Sequence, residues 1–404
     1  MDEMKEKCFA NGRIIDVEKG CLRPETEIWV EDGRITRLSR GQAPQDAVDL
    51  RGSVVMPGLF NVHTHIQFDS TPAGAVIYAS QPRFTVSAVK NLRKYLDSGV
   101  TYIRDMGGAD YVDLELRNMV REGLVPGPEM AASGKNLSAT GGQSWQNGVE
   151  VDGKDACIRA VREQCKKDAD WIKLMASGGS KTPRTSRYAP QFSLEEMQTV
   201  VEEANRLERG VAAHAMGGES ARFAAMAGVT SIEHGYFLEE ETLDLMAEKG
   251  IYYVPTLAIS YFLRNNRGKP GVTEEMADKA ERDLEVQRRS LLAARERGVV
   301  LCVGTDACSP YNDHDGTGHE LAAMCECGLT AAEALRAATV NSAKLCGVFA
   351  ERGSIAPGKR ADFALFAENP LEDIAAITRC AAVIQNGKFA KNFASAGENP
   401  QKND

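Results

Sequence analysis

Residues 54–65 read VVMPGLFNVHTH, an apolar run that ends in two histidines, His63 and His65, spaced two apart. On a strand, residues i and i+2 point to the same face, so both imidazoles can aim at one metal ion. The same layout recurs along the chain. Lys173 stands in DWIKLMASGG, His214 in VAAHAMG, His234 in SIEHGYF and Asp306 in LCVGTDA. Each closes a short apolar run and is followed within a few residues by glycine or polar loop chemistry, as at the active-site mouth of a parallel barrel. The chain holds six histidines, and four of them fall in this set.

Between residues 58 and 357 strand-like and helix-like segments alternate, which predicts βα units. FTVSAVKNLRKYLDSG reads as a helix ended by Gly99, followed by the strand VTYIRDMGG. SLEEMQTVVEEANRLERG reads as a helix with Ser193 as N-cap and Glu196 at the capping-box position, followed by VAAHAMG. About eight such strands can be counted, the number a (β/α)8 TIM barrel needs. The stretch 124–150 fits either a strand with a long loop or mostly loop. Residues 1–57 and 358–404 hold short β-type runs with hairpin signals at Asp32-Gly33 and Asn386-Gly387. The two ends are expected to pair into a small β-sandwich satellite, leaving 58–357 as an uninterrupted barrel. The final residues, SAGENPQKND, read as a frayed polar end. The charged stretch 260–297 reads as a solvated surface helix; a homo-oligomer interface or a lid over the site are the alternatives.

A net charge of −9 on 404 residues, without any Lys/Arg-rich block, argues against nucleic acid or anionic membrane as a partner and favours a small molecule. No segment approaches the ~20 apolar residues of a membrane span, and the N-terminus lacks a secretory pattern, so a cytoplasmic setting is expected. Ten cysteines without a secreted-domain spacing read as reduced, mostly buried thiols.

Imidazole suits zinc and similar cations. Lys173 interrupts the apolar strand WIKLMA, where a charged ammonium is costly to bury. Burial lowers the amine pKa, and a neutral amine can add CO₂ to give a carbamate whose two oxygens bridge two cations; an unmodified lysine beside a single metal is the other option. His214 and His234 would complete the second ion's ligands. Asp306 fits a carboxylate that touches one metal and accepts the proton of the attacking water.

These stretches, together with NGRIID near the start and GKRADFALF and IQNGK near the end, resemble the amidohydrolase superfamily in its subtype with two metals bridged by a carboxylated lysine. The nearest likeness is to imidazolonepropionase-like metal-dependent dipeptidases of the prolidase and Xaa-Arg types. That resemblance implies His63, His65 and Asp306 on the α metal, His214 and His234 on the β metal, and Lys173 on both. It also implies amide hydrolysis by a metal-bridging hydroxide, with dipeptides or N-acyl amino acids as substrates and zinc as the expected cation.

For substrate contacts, the resemblance points to Tyr236 in HGYF and to the start of the last barrel helix, where His319 stands and where a structural, supporting role is the equal alternative. In those relatives a histidine usually follows the paired glycines of the strand-three loop. Here the residue is Gln143, a neutral amide that cannot offer positive charge to a carboxylate. An aryl or mycotoxin-like amide is therefore the alternative substrate class. A deaminase or imidazolonepropionase is less favoured, because aminohydrolases often place glutamate three residues after the strand-five histidine, where this chain has Gly217. A metal-binding protein without catalysis is the remaining class. In the loop SGGSKTPRTSRYAPQ, Lys181, Arg184 and Arg187 are candidates for clamping a carboxylate, and His314 lies near His319 in SPYNDHDGTGHEL.

Overall fold

The computed structural model describes residues 6–72, 74–77, 79–179, 182 and 185–394; Lys181, Arg184 and the end 395–404 lie outside the described residues. Strands Leu59–Thr64, Val100–Asp105, Glu129–Ala132, Trp171–Met175, Gly210–Gly217, Ser231–Phe237 and Tyr252–Val254 run parallel, with helices between them. The third strand resumes at Leu137–Ser138 and pairs with Leu174. The extended segment 299–306 closes the ring: Tyr253 N–H donates to Val300 O on one side, and Val62 N–H donates to Val303 O on the other. The result is a (β/α)8 barrel, as the alternation predicts.

Two features let the ring close over the site. Gly304 packs against the first strand so tightly that a Cβ there would sit 2.5 Å from His63 Cβ. The first strand also carries a bulge: Ile103 pairs with Asn61, but Asp105 pairs with Thr64. The extra residue shifts the alternation of faces. Phe60 and Val62 therefore join Tyr102, Trp171, Ala212 and Cys302 in the apolar floor of the barrel, while His63 and His65 take the inward face above it.

Segments from both halves of the chain, before and after the barrel, form two further sheets. Strand Val54–Pro57 pairs antiparallel with Phe363–Phe366 and parallel with Arg13–Ile14. A second sheet holds Lys7–Ala10, Glu27–Glu31 and Arg34–Ser39, and Phe9, Ile28, Val55, Phe363 and Ile384 share one buried cluster between the two. Both hairpin signals are realised, with φ of 48° and 72° at Asp32-Gly33 and 50° and 73° at Asn386-Gly387. Such paired positive values match the twist of a two-residue hairpin.

Ser193 and Glu196 form the reciprocal capping box that starts helix Leu194–Arg206. In 124–150 the chain forms the two short strands already given, a 3-10 turn at Trp145–Asn147 and a short strand Val149–Glu150 that pairs with Leu137–Ser138, with loop between them. The charged stretch includes a surface helix with charges paired along its exposed side, as at Arg289 and Glu285, but its other side is packed. Helix Glu274–Glu296 buries Ala277, Ala280, Leu284, Leu291 and Ala294 along one face, and Met276, Lys279 and Asp283 line a chamber at the barrel mouth. All ten cysteines are free thiols. Among the described residues, no helix is long and apolar enough to cross a membrane.

Candidate metal centre

His63, His65, Lys173, His214, His234 and Asp306 line one pocket of about 110 Å³ at the C-terminal ends of the barrel strands. Ring centroids step from His65 to His63 at 5.6 Å, to His234 at 4.8 Å and to His214 at 4.6 Å. Ligand atoms of His63, His65 and Asp306 all lie within 4.8 Å of one another. Lys173 Nζ is 3.5 Å from His63 Nε2.

Each imidazole is held by one nitrogen, which decides the atom left for a metal. His63 Nδ1 donates to Glu233 Oε2 at 2.7 Å and His65 Nδ1 to Gly107 O at 2.7 Å. His234 Nδ1 meets Thr256 Oγ1 at 2.8 Å, whereas His214 uses Nε2, donating to Gly178 O at 3.1 Å. Three rings thus present Nε2, and His214 presents Nδ1.

Electrostatics keep two of these imidazoles in the form that can ligate a metal. Burial, then the Lys173 charge, pushes His63 down and His214 down to about 3, so the rings are neutral. Burial lowers the Lys173 amine to about 8 against the opposing pull of Glu233 and Asp306. Burial would raise Glu233, but Arg104 and His63 hold it well below the usual carboxylate range. Arg104 is fully buried, donates to Val62 O, Ser231 Oγ and Glu233 Oε1, and lies 4.5 Å from the Trp171 ring.

The backbone is strained at the same rim. His234, Thr256 and Asp306 have φ of 73°, 51° and 45°. Left-handed backbone costs a non-glycine residue about 1–2 kcal/mol, and such strain gathers at functional sites. At His234 it turns the ring into the pocket beside its inward neighbour Glu233, against strand alternation. The donor set fits divalent cations: four imidazoles whose second nitrogens are already engaged converge with a carboxylate and a deprotonatable amine.

The other expected residues divide. Gln143 and Tyr236 line the same pocket. Gln143 is 4% exposed, and its Oε1 has no hydrogen-bond partner. Arg187 lines the adjoining chamber, paired with Asp283 at 3.3 Å. His319 stands apart from the residues lining the pocket, its ring against Phe262 and Tyr261, because the helix Thr317–Glu326 that carries it turns that face toward the 258–265 helix. His314 braces the His65 carbonyl through Nε2 at 3.3 Å. Glu233, Arg104 and Thr256 were not anticipated. A charge inside the apolar runs SIEHGYF and VTYIRDM was the signal for the first two.

A closed parallel barrel with imidazoles, a lysine and an aspartate gathered at its C-terminal mouth has the layout of a barrel hydrolase. The chain belongs to the amidohydrolase family, whose model matches residues 54–390. It is 31% identical over 380 residues to an ochratoxinase of Aspergillus niger, covering 87% of this chain and 78% of that protein. Among solved structures it is similar to a Xaa-Pro dipeptidase with methionine bound in its active site, with a TM-score of 0.87 and 31% identity over 96% of this chain and 100% of the other. The crystal structure of A. niger ochratoxinase gives a TM-score of 0.83 at 27% identity, covering 97% and 96% of the two chains.

Proposed function

We propose that this amidohydrolase uses two divalent cations, zinc or similar, to cleave the amide bond of an N-acyl amino acid or dipeptide. The convergence of six donor residues in one pocket, each ring with its second nitrogen engaged, carries this reading. His63, His65 and Asp306 would hold one ion, His214 and His234 the other, and Lys173 both, as a carbamate. When bound, such a pair supplies an acidified water and an electrophile for the amide carbonyl. Asp306 then receives a proton and delivers it to the departing amine. Buried Tyr236 orients the substrate from the rim, and Gln143 presents an unpaired amide oxygen to an N–H donor. Ten free thiols support a reducing, cytoplasmic setting.

A non-peptide aryl amide is the second reading, favoured by Gln143 and by the named activity of the Aspergillus relative. A deaminase is disfavoured. At Gly217 φ is 142°, and a Cβ would sit 2.1 Å from Phe237 O, leaving no room for an acidic side chain. Metal quantification before and after chelation, with hydrolysis assays on dipeptides, N-acyl amino acids and aryl amides, tests the proposal. Two ions per chain and chelator-sensitive amide cleavage are expected. One ion without cleavage returns the deaminase reading, and two ions without turnover leave a metal-binding protein.

A further inference from the structure

The metal pocket alone is too small for a whole substrate, since small-molecule sites commonly span about 300–1,000 Å³. It adjoins a second chamber of about 700 Å³, and Tyr236, Ile259 and Ser309 line both. The chamber wall is apolar at Ile77, Leu263, Met276 and Pro310. Among the described residues, its charged side chains are Arg187, Lys279 and Asp283. Asp283 accepts from both cations, at 3.3 Å from Arg187 and 2.7 Å from Lys279, so one positive charge is left over. Arg187 Nε is buried without a hydrogen-bond partner, and the guanidinium lies 4.8 Å from the Tyr236 ring, at the junction with the metal pocket.

We infer that this chamber is the leaving-group subsite and that Arg187, held in place by Asp283, binds the free carboxylate of a bulky apolar amino acid. The inference rests on the amide-hydrolase reading above, in which a substrate carboxylate stands on the amine side of the scissile bond. A neutral Gln143 in the metal pocket leaves Arg187, with Lys279 behind it, to meet that charge. The apolar wall rewards a large side chain over glycine. The preferred substrates are N-acyl derivatives of large aliphatic or aromatic amino acids.

The test compares N-acetyl-L-leucine, N-acetylglycine and N-acetyl-L-leucinamide on the metal-loaded enzyme, following release of the amine. The free leucine acid is expected to exceed each of the others at least about tenfold in kcat/KM, because the amide leaves the chamber's surplus positive charge unmet and glycine leaves its apolar wall unfilled. In Arg187→Gln the acid-to-amide ratio should fall toward one, chiefly through KM, and Arg187→Lys should restore part of it. Equal efficiency on acid and amide in the native enzyme would overturn the subsite while leaving the hydrolase standing. A protein that cleaves none of them yet binds N-acetyl-L-leucine about tenfold more tightly than its amide in calorimetry would keep the subsite and remove the hydrolase; no preference in either assay removes both.

Discussion

In the proposed hydrolase Asp306 and Lys173 answer for different parts of the chemistry, and single substitutions test the assignment. Asp306→Asn should keep bound metal but lose about 10²–10⁴-fold in kcat, the usual weight of a positioned proton carrier. Lys173→Ala should lose one of the two proposed ions, read by elemental analysis. Behind them, Glu233 fixes which nitrogen His63 presents. Glu233→Gln should weaken metal affinity about 10- to 100-fold in competition with a chromogenic chelator. It also strands Arg104 as a buried unpaired charge, so stability should fall by about 3–5 kcal/mol in denaturant titrations. The ligand candidates were legible because each breaks an apolar run with a residue type suited to metals. Glu233 and Arg104 break apolar runs too, yet nothing in the sequence says that they face each other across the barrel floor.

At the level of elements, hairpins and capping boxes were readable because their chemistry is local. The bulge between Asn61 and Thr64 was not, since it is defined only by the register of a strand some forty residues away. Nor was the inner face of Glu274–Glu296, whose small buried residues are hidden among surface charges. Another tertiary tie joins helix Thr317–Glu326 to the start of helix Ala258–Asn265. There the Glu320 carboxylate accepts from the backbone N–H groups of Leu257, at 2.9 Å, and Ala258. Burial outweighs those donors and raises the carboxyl from 4.5 to about 8. Because the folded value lies above the unfolded one, its contribution is complete below pH 4.5 and is lost as pH rises through about 8. Glu320→Gln removes this titration. The melting temperature of the native protein, measured relative to Glu320→Gln, should therefore fall across that window; a constant difference would show that Glu320 keeps its unfolded value.

Across the whole molecule, barrel closure and the candidate metal centre are one problem, because His63 sits both in the closing hydrogen bonds and in the pocket. Ions that bind only the folded chain stabilise it by mass action, by about 4 kcal/mol at a thousandfold excess over Kd. Chelation should accordingly lower the melting temperature by several degrees, and readdition of metal should restore it; an unchanged transition would detach the ions from folding. The barrel was legible at this scale because eight repeats of one pattern reinforce one another. Strand partners at opposite ends of the chain were suggested only by their matching turn signals.

That end-to-end pairing sets a timetable for synthesis. Val54–Pro57 leaves the ribosome early, yet its antiparallel partner Phe363–Phe366 follows 306 residues later, from 57 to 363. At about 5–20 residues per second this is a wait of roughly 15–60 s. Throughout it, the edge of Val54–Pro57 that will meet residue 363 onward is unpaired in the nascent chain, on a strand of apolar side chains, a natural point for a chaperone to act.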